Sequence, residues 1–290
     1  MKRPAGMSNQ ALEFIRTAST KASWQEKIIL LEFVSGLRMP DIVASEFDLS
    51  PVMKNEYTRL LIERDSGKPI DLIIGKKPFL DFEVNIEDGV FIPRPETEEL
   101  VENTLIRLPK DPQIIVEIGT GTGVISLALA RKFKDARIFS TDISSRAVAL
   151  AKRNAEHLGL SDAINFFEAD LIHFSGSEIL KGKVNLLISN PPYIPSSRIP
   201  HLDDEVRLYD PPLALDGMDD GCSVVRRILD LSIDYLSPDG LVSLEIDGLI
   251  EKPLNSYLSQ STLEFKKGVD IRGNLRFLYA SLHENSFSIQ

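Results

Sequence analysis

A chain of 290 residues with 43% hydrophobic and 26% charged residues has the make-up of an ordinary folded protein, long enough for one large core plus a smaller module. Its net charge of −10 works against a broad phosphate-binding surface, and a single cysteine, Cys222, excludes an internal disulfide and a cysteine-cluster zinc site. No apolar run approaches the roughly 18 to 20 residues of a membrane span, and the amino end lacks a signal peptide's apolar centre, so a reducing, cytoplasmic setting is expected.

Residues 1–27 carry Lys2, Arg3, Arg16, Lys21 and Lys27 among Ser and Thr, as organellar transit peptides do, but Glu13 and Glu26 count against that reading. From about Asn9 to Glu63 apolar residues such as Ile28, Leu31, Val34 and Leu37 recur at helical spacing, which predicts a small helical domain. Residues 77–93, "KPFLDFEVNIEDGVFIP", then alternate apolar and polar positions around Asp88-Gly89, the pattern of a β-hairpin. The expected domains are a helical one over 1–75, a β-hairpin linker over 76–95 and a larger domain over 96–290.

After Pro112, strand-like runs at Ile114–Ile118, Arg137–Thr141, Ile164–Glu168, Val184–Ser189 and Leu241–Ile246 alternate with helical segments such as Arg146–Leu158. That alternation predicts an α/β fold with a parallel sheet covered by helices on both faces. Ligands in such sheets bind beyond the carboxyl ends of the strands, so the residues closing each run are the ones to read.

The first run ends in "VEIGTGTGVISLALA", with Gly119, Gly121 and Gly123 where a strand turns into a helix, and Thr120 and Thr122 between them. A dinucleotide fingerprint needs glycine at position 124, where Val124 stands, so the loop tilts away from NAD. The second run ends in Asp142, whose carboxylate can accept both hydroxyls of a ribose, and the third in Glu168-Ala169-Asp170-Leu171, where a carboxylate and the next amide can read an adenine edge. A lone strand-end Asp is more often a helix cap, but three ordered strand ends make a nucleoside pocket. This arrangement resembles the class I S-adenosylmethionine-dependent methyltransferases. The resemblance implies a Rossmann-like seven-stranded sheet and a cofactor held by Glu117, Gly119, Thr120, Gly121, Thr122, Gly123, Asp142, Asp170, Leu171 and Asn190. Glu117 would meet the cofactor's amino group through the loop or orient the loop amides.

The fourth run ends in Asn190-Pro191-Pro192-Tyr193. Two prolines that merely stop an edge strand are the plain reading, but this strand is expected beside the first, in the middle of the sheet. An amide or exocyclic amino nitrogen shares its lone pair with a π-system and attacks poorly, so it must be held. The Asn190 side-chain oxygen and the Pro191 carbonyl can each accept one N–H, Pro192 fixes the turn, and Tyr193 can pack on a planar group. Catalytic roles fall to Asn190, Pro191 and Tyr193, and substrate contacts to Asn190–Tyr193. The scheme needs no general base and no metal, which leaves His157, His173, His201 and His283 without a catalytic role, and Cys222 reads as a small core residue.

Asn-Pro-Pro-Tyr specifies the reacting group rather than the molecule: methyltransferases of base amino groups and of glutamine amides share it. The stretch "IPRPETEEL" reads on its own as a proline-rich linker with acidic residues opening a helix. Together with "IERDSGKPIDLIIGKKPFLDFEV", "TDISSRAVALAKRNA", "ISNPPYIP", "YDPPLALDGMDDG" and "DIRGNLRFL", it closely resembles the peptide chain release factor glutamine N5-methyltransferases, the HemK/PrmC family. The resemblance implies methylation of the glutamine amide in the Gly-Gly-Gln loop of class 1 release factors, a substrate contact from Arg94, and a helical amino-terminal domain that grips the release factor. A monomer without stable nucleic-acid or membrane binding is expected. The competing readings are an adenine N6-type amino methyltransferase, a ribosomal-protein glutamine methyltransferase, and a binding protein with a vestigial site.

Overall fold

The computed structural model describes residues 10–45 and 47–283, so residues 1–9 of the transit-peptide reading lie outside it. The chain divides into two compact units, Met1–Gly75 and Lys76–Gln290.

The first unit is helical: α1 (Gln10–Thr17), α2 (Trp24–Ser35), α3 (Met39–Ala44), α4 (Pro51–Asp65) and α5 (Ile70–Ile74). Helix α2 opens on a capping box, in which the Ser23 side chain accepts from the Glu26 amide and Glu26 accepts from the Ser23 amide. Helix α4 opens on a Ser50 cap with Pro51 in its first turn, where the missing N–H costs nothing. Ile15, Leu30, Leu31, Ile42, Tyr57 and Leu60 close the core of this unit. The Tyr57 hydroxyl donates to the Lys27 carbonyl at 3.2 Å, so the largest buried side chain leaves no polar group stranded.

The second unit starts with a hairpin, β1 (Lys76–Phe79) and β2 (Phe82–Asn85). Its turn is Leu80-Asp81, not Asp88-Gly89: Phe79 pairs with Phe82, their rings 5.7 Å apart and buried, while Leu80 adopts φ 49°. Burial of two phenylalanines at the tip outweighs the turn preference of Asp-Gly, and Gly89 instead sits past the hairpin against Arg146.

Strands β3 (Ile114–Ile118), β4 (Arg137–Asp142), β5 (Ile164–Glu168), β6 (Val184–Ser189), β7 (Leu236–Glu245), β8 (Glu264–Val269) and β9 (Leu275–Ser281) form one seven-stranded sheet of order β5-β4-β3-β6-β7-β9-β8. Strands β3 to β7 are parallel, but β9 pairs antiparallel with both β7 and β8, so the sheet is mixed rather than all parallel. The short connection from β8 to β9 carries no crossover helix, and only an antiparallel pairing is open to it.

Helix α6 (Pro95–Arg107) precedes β3, α7 (Val124–Lys132) and α8 (Ser145–His157) follow β3 and β4, α9 (Asp204–Tyr209) and α10 (Pro212–Leu215) follow β6, α11 (Ser223–Tyr235) leads into β7, and α12 (Glu251–Leu258) follows it. The strand order runs outward from β3 in one direction and from β6 in the other. Right-handed crossovers therefore put α7 and α8 on one face and α11 on the other, with the switch point between β3 and β6. Among the described residues no helix is long and apolar enough to cross a membrane.

Candidate active site

At the switch point, beyond the carboxyl ends of β3, β4 and β6, a cavity of about 290 Å³ opens, close to the lower end of the range for small-molecule sites. Its wall draws on the loop after β3, the ends of β4 and β5, and the segment after β6.

The glycine loop is shaped by two carboxylates. Asp142 Oδ2 accepts from the Gly121 amide and Oδ1 from the Ser144 amide, each at 2.9 Å, so the carboxylate at the end of β4 is fixed in orientation. Burial raises the Asp142 pKa against the lowering by these amides. Glu117, fully buried inside β3, receives three hydroxyls on one oxygen: Thr120 at 3.0 Å, Ser140 at 2.6 Å and Ser126. Its other oxygen, Oε1, has no partner, and the residue lines the cavity. Burial pushes this carboxyl up to about 7. A buried acceptor left without a donor at a cavity wall is a place for a ligand's N–H, at a cost of roughly 1–3 kcal/mol while unmet.

The end of β5 contributes Asp170 and Leu171. Leu171 is buried with φ 54°, a left-handed backbone state uncommon for a bulky side chain. Asp170 is exposed and paired with Arg227 of α11 at 2.5 Å, and both line the cavity.

Beyond β6 the backbone passes through Asn190-Pro191-Pro192, all on the wall. Asn190 Nδ2 donates to Thr97 Oγ1 at 3.0 Å, Thr97 Oγ1 donates to Glu245 Oε2 at 2.8 Å, and the Tyr193 hydroxyl donates to Glu245 Oε1 at 3.0 Å. The register explains the meeting: Ser189 pairs with Leu244, so the next residues, Asn190 and Glu245, leave their strands side by side. Burial pushes the Glu245 carboxyl up to about 7 and the Tyr193 phenol well above its usual value. The segment 215–221 braces the loop, with Ile194 N–H donating to the Leu215 carbonyl and Ser196 N–H to that of Met218, both at 3.0 Å.

Most predicted residues therefore gather on one wall: Glu117, Gly119, Thr120, Gly121, Thr122, Asp142, Asp170, Leu171, Asn190, Pro191 and Pro192. Three lie elsewhere. Gly123 is not on the wall: a Cβ there would come within 3.1 Å of Ala151 Cβ, so this glycine lets α7 and α8 approach. Tyr193 turns away, its ring packed on the core and its hydroxyl on Glu245. Arg94 is committed to the buried carboxylate of Asp210 at 2.6 Å. Sequence reasoning missed Glu245 and the role of Thr97. The available signal was a lone carboxylate inside an apolar run, which marks Glu117 in β3 and Glu245 in β7 alike.

The family model for the methyltransferase small domain matches residues 97–201, which spans β3 to the loop after β6. The release factor glutamine methyltransferase of Moorella thermoacetica is 36% identical over 224 residues, 76% of this chain and 77% of the relative. That of Salmonella typhimurium is 36% identical over 218 residues, covering 75% and 76%. Among solved structures, the catalytic domain of hMettl16 in complex with the MAT2A 3'UTR hairpin 6 superposes with a TM-score of 0.54 at 15% identity, over 83% of this chain and 85% of that one, a likeness of fold.

Proposed function

The chain belongs to the release factor glutamine methyltransferase family, and from that premise we propose how its own residues serve the transfer of a methyl group from S-adenosylmethionine to a glutamine side-chain amide of a release factor. The observation that carries the reading is the Asn190-Pro191-Pro192 wall facing a cavity whose other walls suit a nucleoside.

The residues fit the cofactor. The amide-held Asp142 carboxylate supports ribose binding, the buried and unpartnered Glu117 Oε1 supports a contact with the amino group, and Asp170 and Leu171, on the same wall, would meet the adenine. S-adenosylmethionine, when bound, supplies an electrophilic methyl on a sulfonium. The protein's task is to aim the nucleophile. Asn190 Oδ1 and the Pro191 carbonyl each accept one N–H of the glutamine amide, which holds the NH2 group so that the nitrogen lone pair faces the methyl. With the donor bound, a nitrogen–carbon bond would form as the donor's carbon–sulfur bond breaks, and the amide nitrogen, made acidic by its new bond, would release its proton to solvent. Among the described residues no histidine lines the cavity wall.

The finer assignments follow the same premise. The substrate is the glutamine of the Gly-Gly-Gln loop in class 1 release factors, residues 1–75 serve in recognising that protein, and the enzyme works as a cytoplasmic monomer. A net charge of −10 speaks against a nucleic-acid substrate.

Mass spectrometry of a class 1 release factor incubated with the enzyme and cofactor is expected to show one added methyl on the Gly-Gly-Gln peptide. Asn190→Ala is expected to stay folded and lower turnover by about 10²–10³-fold, as loss of orientation does. Unchanged turnover in that variant contradicts the amide clamp; label entering RNA or DNA but not the release factor contradicts the substrate.

A further inference from the structure

The hydrogen bonds behind Asn190 have a defined polarity. An ionised carboxylate only accepts, so Glu245 takes the hydroxyl protons of both Thr97 and Tyr193. Thr97 has one proton, already given to Glu245, so its oxygen meets Asn190 as an acceptor and only the amide NH2 can face it. That leaves Asn190 Oδ1, an acceptor, for the cavity. We propose that Glu245 and Thr97 are positioning residues, and that the ionised Glu245, acting through the Thr97 hydroxyl, sets the Asn190 amide with its oxygen toward the substrate. This rests on the reading that Asn190 receives the glutamine NH2.

Reversal follows from the same count. A proton on the Glu245 oxygen facing Thr97 is donated to Thr97 Oγ1, which frees the threonine's own proton for Asn190. The amide then turns over and presents its NH2 to the NH2 of the substrate, two donors face to face. The groups around Glu245 bear on this titration. Thr97 and Glu96 come from α6, Tyr193 from the loop after β6, and Arg276 from β9, the last held by Asp247 at 2.9 Å. Burial raises the carboxyl to about 7, with the Thr97 and Tyr193 hydroxyls and Arg276 opposing and Glu96 assisting.

The test is kcat against pH, from 5.5 to 9, with a class 1 release factor and saturating S-adenosylmethionine. Wild type is expected to lose kcat about tenfold per pH unit on the acid side of a midpoint near 7. Glu245→Gln, which cannot ionise, is expected to be about 10–100-fold slower at pH 8 and to lack that acid limb. Thr97→Val should show a similar fall in kcat with a cofactor Kd within about threefold of wild type, and Thr97→Ser should recover most of it. An unchanged acid limb in Glu245→Gln overturns the proposal, and so does Thr97→Val with wild-type kcat. If Thr97→Val does not fold, the Glu245→Gln profile and the Thr97→Ser rescue decide alone. Wild type that methylates no release factor at any pH overturns both this inference and the reading beneath it, whereas active wild type with unaffected variants overturns only this one.

Discussion

Two carboxylates, Glu117 in β3 and Glu245 at the end of β7, sit fully buried, and both are pushed up to about 7 by burial. Neither is stabilising as an anion: a folded pKa above the unfolded one means the native state binds the extra proton. The stability they contribute is therefore complete below about pH 4.5 and is lost as pH rises through about 7. Glu117→Gln removes one of these penalties. Its melting temperature at pH 8 is expected to exceed that of wild type, by up to roughly 3 kcal/mol of stability, with the gap closing toward pH 5. Calorimetry at the two pH values checks this, and an equal gap at both refutes the assignment. The same variant replaces an unpartnered anionic oxygen at the cavity wall with a neutral amide, so cofactor affinity should fall about 10–100-fold, measurable by titration calorimetry. The site thus holds groups that serve function at a cost in stability, as the opposite pH trends of kcat and melting temperature would display.

At the scale of elements, the segment Pro93–Glu99 serves more neighbours than a linker does. Thr97 reaches Asn190 and Glu245, Glu98 accepts from the Leu80 amide in the hairpin turn at 3.1 Å, and Glu99 accepts from the Ile271 amide at 3.0 Å. Acidic residues at the opening of α6 suit the helix dipole, yet their spacing is explained by these partners. Arg94 belongs to the same framework. Its guanidinium meets Asp210, a carboxylate buried to 3% exposure, so Arg94→Ala leaves a buried charge unpaired and is expected to cost about 3 kcal/mol. Arg94→Ala with Asp210→Asn should regain much of that stability in chemical denaturation. A double variant no better than the single one would show that Arg94 acts elsewhere. Gly221 tests the brace behind the Asn190 loop. It holds φ 75°, and a Cβ there would lie 2.5 Å from the Tyr193 carbonyl oxygen. Gly221→Ala is expected to lose roughly 2–4 kcal/mol, from strain and overpacking together, with a matching drop in melting temperature.

For the whole molecule, the buried apolar residues of the two units come from separate stretches of chain: Ala11 to Leu72 in the first, and Phe79 to Ala280 in the second. Every residue of the cavity wall lies at position 89 or beyond. A fragment of residues 76–290 is therefore expected to fold and to bind S-adenosylmethionine within about threefold of the full chain, while its kcat/KM for a release factor falls by about tenfold or more. A folded fragment without cofactor affinity would refute this, and an undiminished kcat/KM would remove residues 1–75 from recognition.

The five parallel strands, the glycine turn, Asp142 at a strand end and the Asn190-Pro191-Pro192 turn were readable in the chain because each depends on local pattern: apolar runs of strand length, turns that need glycine, and a proline pair that no central strand tolerates; the antiparallel β8–β9 edge was not. The hairpin turn was not, since the burial of Phe79 against Phe82 is a pairing choice that the Asp88-Gly89 signal does not report. Nor was the duty of Thr97, Glu245, Tyr193 or Arg94. Thr97 and Glu245 are 148 positions apart, and Arg94 and Asp210 are 116 apart. Which hydroxyl meets which carboxylate depends on β6 lying beside β7 in one register, and a hydrogen bond constrains residues through space rather than along the chain. By itself the sequence determined the reaction's nucleophile class and its cofactor, because the motifs that carry them are contiguous strand ends. The tertiary structure alone decided which side chains orient them, because it brings distant strand ends level.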